Sequence, residues 1–136
     1  MARLGSGLGF TVTAGTTASS TGRTSGAVLD MTGYEGVLFI GFVDATSTAN
    51  GLYAQYGSAT ALGEIATGKV QAAATCMVLD LYRPNGRYVN GVITASGVTA
   101  KRGPIIAIQY GARKMPTTNT STVAIGYSAT PASGGP

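Results

Sequence analysis

The chain has 136 residues, the length of one ordinary domain, which can bury a hydrophobic core without metal or disulfide links. Apolar residues make up 44% and charged residues only 10%, a balance that excludes disorder caused by low hydrophobicity and high net charge. The net charge is +4, but the nine basic residues are dispersed. This pattern argues against nucleic-acid binding and favours a basic patch that meets an acidic protein partner.

Residues 1–26 are rich in Gly, Ser, Thr and Ala and predict a flexible N-terminal arm. Within this arm, Gly9–Thr13 shows the short apolar alternation of an edge strand. An arm of this composition gains order when another subunit binds it, whereas an unbound one is a frayed terminus. The sequence leaves both interpretations open.

Short apolar runs separated by turn signals begin at residue 27. Gly36–Val43 is the most hydrophobic of them. Because it does not alternate, it predicts a strand buried on both faces, against a second sheet on one side and a partner on the other. The other expected strands are 27–31, 52–56, 75–82, 87–94, 104–110 and 122–128.

About eight to ten short strands without a real helix predict an all-β fold. We expect an antiparallel β-sandwich of jelly-roll-like type over residues 27–130, with a small closed barrel as the alternative. Between residues 57 and 68 the sequence predicts a loop with at most one helical turn. Residues 131–136 form a Gly/Pro-rich tail.

Residues 77–94 predict a β-hairpin, because two apolar runs flank a turn of Pro, Asn and Gly. Pro84 presets φ at the first corner of the turn, and Gly86 supplies the positive φ that closes a three-residue loop. The resulting register places Tyr82 opposite Tyr88.

The tip of this hairpin carries a cluster of aromatic and charged side chains. Tyr and Arg are enriched where protein interfaces gain most of their binding energy. In the alternative interpretation, Asp80 only forms a solvent-facing ion pair with the two arginines, which contributes little. The candidate interface residues are Tyr82, Arg83, Arg87, Tyr88 and Asp80.

The residue types that most catalytic and metal sites need are scarce. His is absent, and Cys76 is the single cysteine, so neither a thiolate cluster nor an intrachain disulfide can form. Cys76 lies in an apolar run and is expected to be a buried structural thiol. The five acidic residues form no paired motif, although a glycosidase-type pair that meets only in the folded chain stays open. We therefore expect no enzymatic activity, no cofactor and no metal.

Residues 79–89, LDLYRPNGRYV, resemble an L-D-[apolar]-x-[KR]-P-x-x-R-Y-[apolar] stretch in small structural proteins of tailed bacteriophages. The runs AVLDMTGYEGVLFIGFV and PIIAIQYGARKMPTTN and a Pro/Gly-rich tail occur in the matching order, so the resemblance covers residues 25–130. Proteins of this kind are capsid cement or decoration proteins, β-sandwiches that bind the head lattice as oligomers and clamp neighbouring capsomers. The residues carried over, as a turn without a catalytic role, are Arg83, Pro84, Arg87 and Tyr88.

The resemblance implies a virion structural protein that binds the major capsid protein at the head surface as a homo-oligomer, a trimer or a dimer. We expect synthesis in the cytoplasm of a bacterial host, since no signal-peptide pattern is present. No direct nucleic-acid partner is expected, because the basic residues are dispersed along the chain. No membrane partner is expected either, because no apolar run approaches the roughly 18 residues of a membrane span.

The alternative is a carbohydrate- or receptor-binding β-sandwich module of a phage tail or another surface assembly. A sugar platform would use the rings of Tyr53, Tyr56, Tyr82, Tyr88, Tyr110 and Tyr127.

Overall fold

The structure is a computed structural model, and it describes residues 7–13, 15, 22–44, 48, 50–62, 64–65, 70–71, 75–95 and 100–113. The strand predicted at 122–128 and the tail at 131–136 lie outside these ranges. The described residues contain ten strands and no α-helix. The strands are β1 (Gly9–Thr13), β2 (Arg23–Ser25), β3 (Leu29–Asp30), β4 (Gly36–Val43), β5 (Asn50–Gly57), β6 (Glu64–Ile65), β7 (Val70–Gln71), β8 (Cys76–Tyr82), β9 (Tyr88–Ala95) and β10 (Arg102–Tyr110).

The strands form two antiparallel sheets. The first sheet has the order β1-β10-β4-β8, and the second has the order β2-β9-β5-β6, with β3 also beside β9 and β7 also beside β5. Successive strands alternate between the two sheets, except that β3 follows β2, and β6 and β7 follow β5, within the second sheet. Two packed sheets connected in this way form a jelly roll, so the prediction of a jelly-roll-like antiparallel sandwich is confirmed.

The core lies between the two sheets. Phe39 of β4 points inward and is almost fully buried, and its ring lies against Gly91 of β9. A Cβ at Gly91 would be 2.8 Å from the Phe39 ring, so the glycine makes room for the aromatic side chain. The same packing of a large side chain against a glycine recurs where Ile93 of β9 lies over Gly41 of β4. Large side chains of each sheet therefore fill spaces left by glycines of the other.

The predicted hairpin at 77–94 is wrong. β8 pairs with β4 in the first sheet, whereas β9 pairs with β5 in the second. Residues 83–87 therefore cross from one sheet to the other, and Tyr82 lies opposite Gly36 instead of Tyr88. Alternating apolar residues indicate which face of a strand is buried, but not which strand lies beside it. An arch between two sheets and a hairpin within one sheet share that pattern.

The turn at 83–87 also differs in its backbone from the prediction. The residue with a positive φ is Arg83, at 48°, and Gly86 is not in that conformation. Gly86 is needed for a different reason. A Cβ there would lie 2.8, 2.9 and 3.0 Å from the backbone O, N and C of Gly57, at the end of β5.

Two parts of residues 1–26 are strands, and the first of them is the edge strand predicted at Gly9–Thr13. β1 pairs with β10 at the edge of the first sheet, and β2 pairs with β9 in the second. The composition of residues 1–26 indicates a high entropic cost of ordering. However, the backbone hydrogen bonds offered by β10 and β9 do not depend on side-chain type, so a Gly/Thr-rich segment can satisfy them.

Cys76 differs from its prediction as well. The thiol is exposed, because Cys76 is on the outward face of β8 and the next residue, Met77, occupies the core. The apolar run around Cys76 did not indicate which of its alternate residues would point inward.

Candidate interaction surface

Three loops meet at one end of the sandwich, where residues 83–87 pass between the sheets. They are the 83–87 arch, the 31–35 turn before β4 and residues 111–113 after β10. Backbone hydrogen bonds tie them together: the N–H groups of Arg83, Met31 and Arg113 donate to the carbonyls of Glu35, Arg87 and Gly33 at 2.8, 2.8 and 2.9 Å. Loops that belong to both sheets are thus held in one arrangement.

These loops line an open cleft of about 310 Å³, which we call the arginine cleft. All three loops contribute charged side chains to this cleft. Its lining residues are Met31, Thr32, Tyr34, Glu35, Arg83, Pro84, Gly86, Arg87 and Arg113. Three guanidinium groups therefore share this surface with one lining carboxylate.

Arg87 is held by Asp30 at the edge of the cleft. Its Nε donates to Oδ1 at 3.1 Å and its Nη2 to Oδ2 at 2.8 Å, the two-pronged geometry that guanidinium and carboxylate groups favour. The hydrogen bond from Arg87, together with that from the backbone N–H of Thr32 at 2.9 Å, holds the pKa of Asp30 well below its ordinary value. Asp30 thus stays ionised, the opposite of what a general acid requires.

Arg83 is held more loosely than Arg87. Its Nη2 lies 3.9 Å from Oε1 of Glu35, and the two side chains are 70% and 47% exposed. An ion pair this long and this exposed to solvent contributes little. The described part of the chain contains these two ion pairs, and neither involves Arg113. The cleft therefore has an excess of positive charge at Arg83 and Arg113.

Each arginine of the arch also lies over a neighbouring aromatic ring. The Arg83 guanidinium carbon is 5.1 Å from the centre of the Tyr82 ring, and that of Arg87 is 5.0 Å from the Tyr88 ring. At these distances the cations interact favourably with the faces of the rings. This stacking restricts both guanidinium groups before any partner binds.

Asp80 does not pair with the arginines, so the interpretation of Asp80 as their ion-pair partner is wrong. It lies on the outward face of β8, and its Oδ1 accepts a hydrogen bond from the Tyr110 hydroxyl at 2.6 Å. Desolvation and this contact raise the pKa of Tyr110 to about 12. Because Tyr110 belongs to β10, which is not adjacent to β8, this contact extends over the intervening strand β4.

The five predicted interface residues lie at the same end of the molecule but on different surfaces. Arg83 and Arg87 line the cleft, Asp80 and Tyr82 face outward from the first sheet, and Tyr88 begins β9. Sequence reasoning missed four residues that complete this surface: Asp30, Glu35, Tyr110 and Arg113. Asp30 and Glu35 flank a turn, where acids are ordinarily solvated, and only the crossing of residues 83–87 brings the arginines to them.

The tyrosines do not form one platform. Tyr53 is buried, and Tyr56 lies on the opposite face of β5, where it packs against the core. Tyr82 is exposed on the first sheet instead. Tyr127 lies outside the described residues. Tyr82 and Tyr110 lie on either side of Gly36 in the first sheet, so the described rings are divided between different surfaces.

The described residues place no three His, Cys, Asp or Glu side chains where a metal ion could be held. Over the same ranges, no helix has the length and apolar character needed to cross a membrane.

No protein-family model and no curated protein matches this chain. One similar solved structure is that of Bacillus endospore appendages, a family of disulfide-linked pili. The two chains superpose with a TM-score of 0.44 at 14% sequence identity, and the match covers 76% of this chain and 85% of the pilus chain.

Proposed function

We propose that this chain is a virion structural protein, a capsid cement or decoration protein that binds an assembled head lattice as an oligomer and stabilises it. The observation that carries the proposal is the arginine cleft. Two of its three guanidinium groups, those of Arg83 and Arg113, have no close carboxylate partner among the described residues. The resemblance in residues 79–89 supports the same function, because Arg83 and Arg87 of that stretch both line the cleft.

The cleft suits an acidic protein surface. A guanidinium group binds a carboxylate through two parallel hydrogen bonds, and it is more weakly hydrated than an ammonium group. Backbone hydrogen bonds among the three loops, and stacking of Arg83 on Tyr82, reduce the entropy lost on binding. We therefore propose that acidic residues of the major capsid protein bind at Arg83 and Arg113.

Stabilisation of the head would follow from mass action. A ligand that binds the assembled lattice and not the separated subunits stabilises the assembly by about 2.7 kcal/mol when its free concentration is 100 times Kd. No chemical step is needed, and the effect grows with the number of sites that are filled.

The proposal is tested by cosedimentation of the purified chain with heads that lack it and, separately, with dissociated capsid subunits. We expect binding to the heads alone. Arg83→Ala with Arg113→Ala should weaken this binding at least tenfold. The matched control is Arg23→Ala with Lys101→Ala, which removes the same charge from exposed positions at the other end of the sandwich and should bind normally.

Two results would contradict the proposal. The first is a chain that does not bind heads under any salt condition. The second is an equal loss of binding in both double variants, which would show a dependence on net charge and not on the arginine cleft.

A further inference from the structure

The outward face of the first sheet is apolar across its whole width. Strand register places Val12, Ile106, Ile40 and Val78 side by side in one row that crosses β1, β10, β4 and β8. Val12 and Val78, at the two ends of the row, are 44% and 49% exposed. We call the outward side of the first sheet around this row the apolar face. The sequence predicted that Gly36–Val43 packs against a second sheet on one side and a partner on the other, and this face is its side away from the core.

The apolar face is almost uncharged. Among the described strand residues that point outward from the first sheet, Asp80 is the one that carries a charge, and its carboxylate is bound by Tyr110. Depletion of charge at the centre with aromatic residues nearby is the composition of a protein interface. Two copies of such a face can meet without bringing like charges together, so the face is compatible with itself.

The outward side of the second sheet differs in exposure. Val92 of β9 alternates with Ile93, which faces the core, and it therefore points away from the first sheet. Val92 is nevertheless 0% exposed, whereas Val78 on the apolar face is 49% exposed. Within the described strands, the large aliphatic side chains that are strongly exposed, Val12 and Val78, both belong to the first sheet.

The size of the apolar face fits a contact between copies. Four strands about 4.8 Å apart, each with about seven residues that rise about 3.3 Å apiece, give the sheet a flat area on the order of 450 Å². Protruding side chains make the accessible area larger than this flat area. The largest apolar patch on a typical monomer is about 300–600 Å² and is often functional. Two such faces would hide about 900 Å² of flat area, close to the roughly 1,000 Å² expected of a specific interface once side-chain relief is added.

We propose that the apolar face packs against the same face of a second copy of this chain. Two sheets would then lie about 10 Å apart across the contact, as the two sheets of one sandwich do. A contact between identical surfaces closes on itself and leaves no apolar face free to recruit further copies. The inference deepens the proposed function, since it supplies the contact that makes the oligomer, and its test requires no capsid.

The test is light scattering on the full chain over a range of concentrations, with three Val→Lys variants. Val12→Lys and Val78→Lys each place a charge on the apolar face. Val28→Lys is the matched control, because Val28 is 42% exposed and lies between β2 and β3, away from that face. Melting temperatures establish that each variant is folded.

We expect the wild-type chain and Val28→Lys to have twice the 13.6 kDa mass of one chain. Val12→Lys and Val78→Lys should dissociate at concentrations at least ten times higher than the wild-type chain does. A monomeric wild-type chain, or an odd number of copies, would overturn the proposal. A Val78→Lys variant that associates as strongly as the wild-type chain would also overturn it.

Two further outcomes would overturn the proposal by identifying another occupant. If the wild-type chain is monomeric and Ile125→Lys makes it associate, residues 114–136 of the same chain cover the apolar face. If the monomer binds heads and Val78→Lys abolishes that binding, the capsid protein covers it. In both cases the arginine-cleft variants still test the proposed function, because their effect is measured on head binding and not on mass.

Discussion

Replacing Gly86 by alanine tests how the arch at 83–87 is attached to the sandwich. The new Cβ would lie 2.8–3.0 Å from three backbone atoms of Gly57. Contacts between carbon atoms are favourable at about 3.5–4.0 Å, so the arch must move by roughly 0.5–1 Å. Gly57 ends β5 and lies opposite Tyr88 in the second sheet, so its backbone cannot yield alone.

The expected cost follows from these contacts. Forced overpacking costs about 1–3 kcal/mol, and the lower entropy of the unfolded Ala chain offsets about 0.4–1 kcal/mol of it. We expect a net destabilisation of about 1–2 kcal/mol and a melting temperature lower by roughly 3–8 °C. Urea unfolding followed by circular dichroism measures the free energy. Asn85→Ala, an exposed neighbour in the same arch, is the control and should change it by less than about 0.5 kcal/mol.

Gly86→Asn distinguishes the structure from the turn that the sequence predicted. If Gly86 were needed for a positive φ, Asn would be the best tolerated replacement. Because the restriction is the space for a Cβ, Asn should destabilise the chain at least as much as Ala does. A Gly86→Asn variant that is more stable than Gly86→Ala would refute the packing argument.

Three other outcomes are expected. The lowered pKa of Asp30 means that its bond with Arg87 stabilises the fold fully above the ordinary carboxyl pKa of 3.8, and that this contribution is lost as the pH falls below that value. Asp30→Asn should therefore flatten the acid limb of a plot of unfolding free energy against pH, and an unchanged limb would contradict the assignment. Tyr110 titrates late because its pKa is raised to about 12 from the ordinary 10.0, so its stabilising contribution is present below pH 10 and is lost as the pH rises through 12. In Asp80→Asn, ultraviolet titration should show one tyrosine ionising at lower pH than in the wild-type chain. Phe39→Ala should cost about 3–5 kcal/mol in urea unfolding, since it leaves a cavity opposite Gly91, and a loss below 1 kcal/mol would show that the core collapses around the site.

The strands themselves could largely be predicted from the sequence. Gly36–Val43 was predicted as a strand, and β4 has the same bounds. It was also predicted to be buried on both faces, whereas its outward residues Leu38 and Ile40 are half-buried and Phe42 is exposed. The partner expected on that side stays a prediction. The strand predicted from Pro104 begins two residues earlier, at Arg102. Pro104 lies within a register irregularity between Arg102 and Ile105, one of the places where a strand tolerates proline.

The arginine cleft could be predicted only in part. Arg83 and Arg87 were identified because their residue type and their position in a turn are visible in the sequence. Asp30 and Glu35 were not, since they are 57 and 48 residues away from the arginines they bind, and no local pattern connects them. Asp80 was given the wrong partner for the same reason. It is near both arginines in the chain, but its side chain points to the outward face, where Tyr110 meets it.

The sequence by itself determined where the chain extends and that the fold is an all-β sandwich. Those properties follow from alternation and turn chemistry, which act over a few residues. The tertiary structure alone decided that residues 83–87 cross between sheets instead of closing a hairpin. A short turn and two alternating strands fit either arrangement, and pairing is settled by packing between distant residues, such as Phe39 over Gly91.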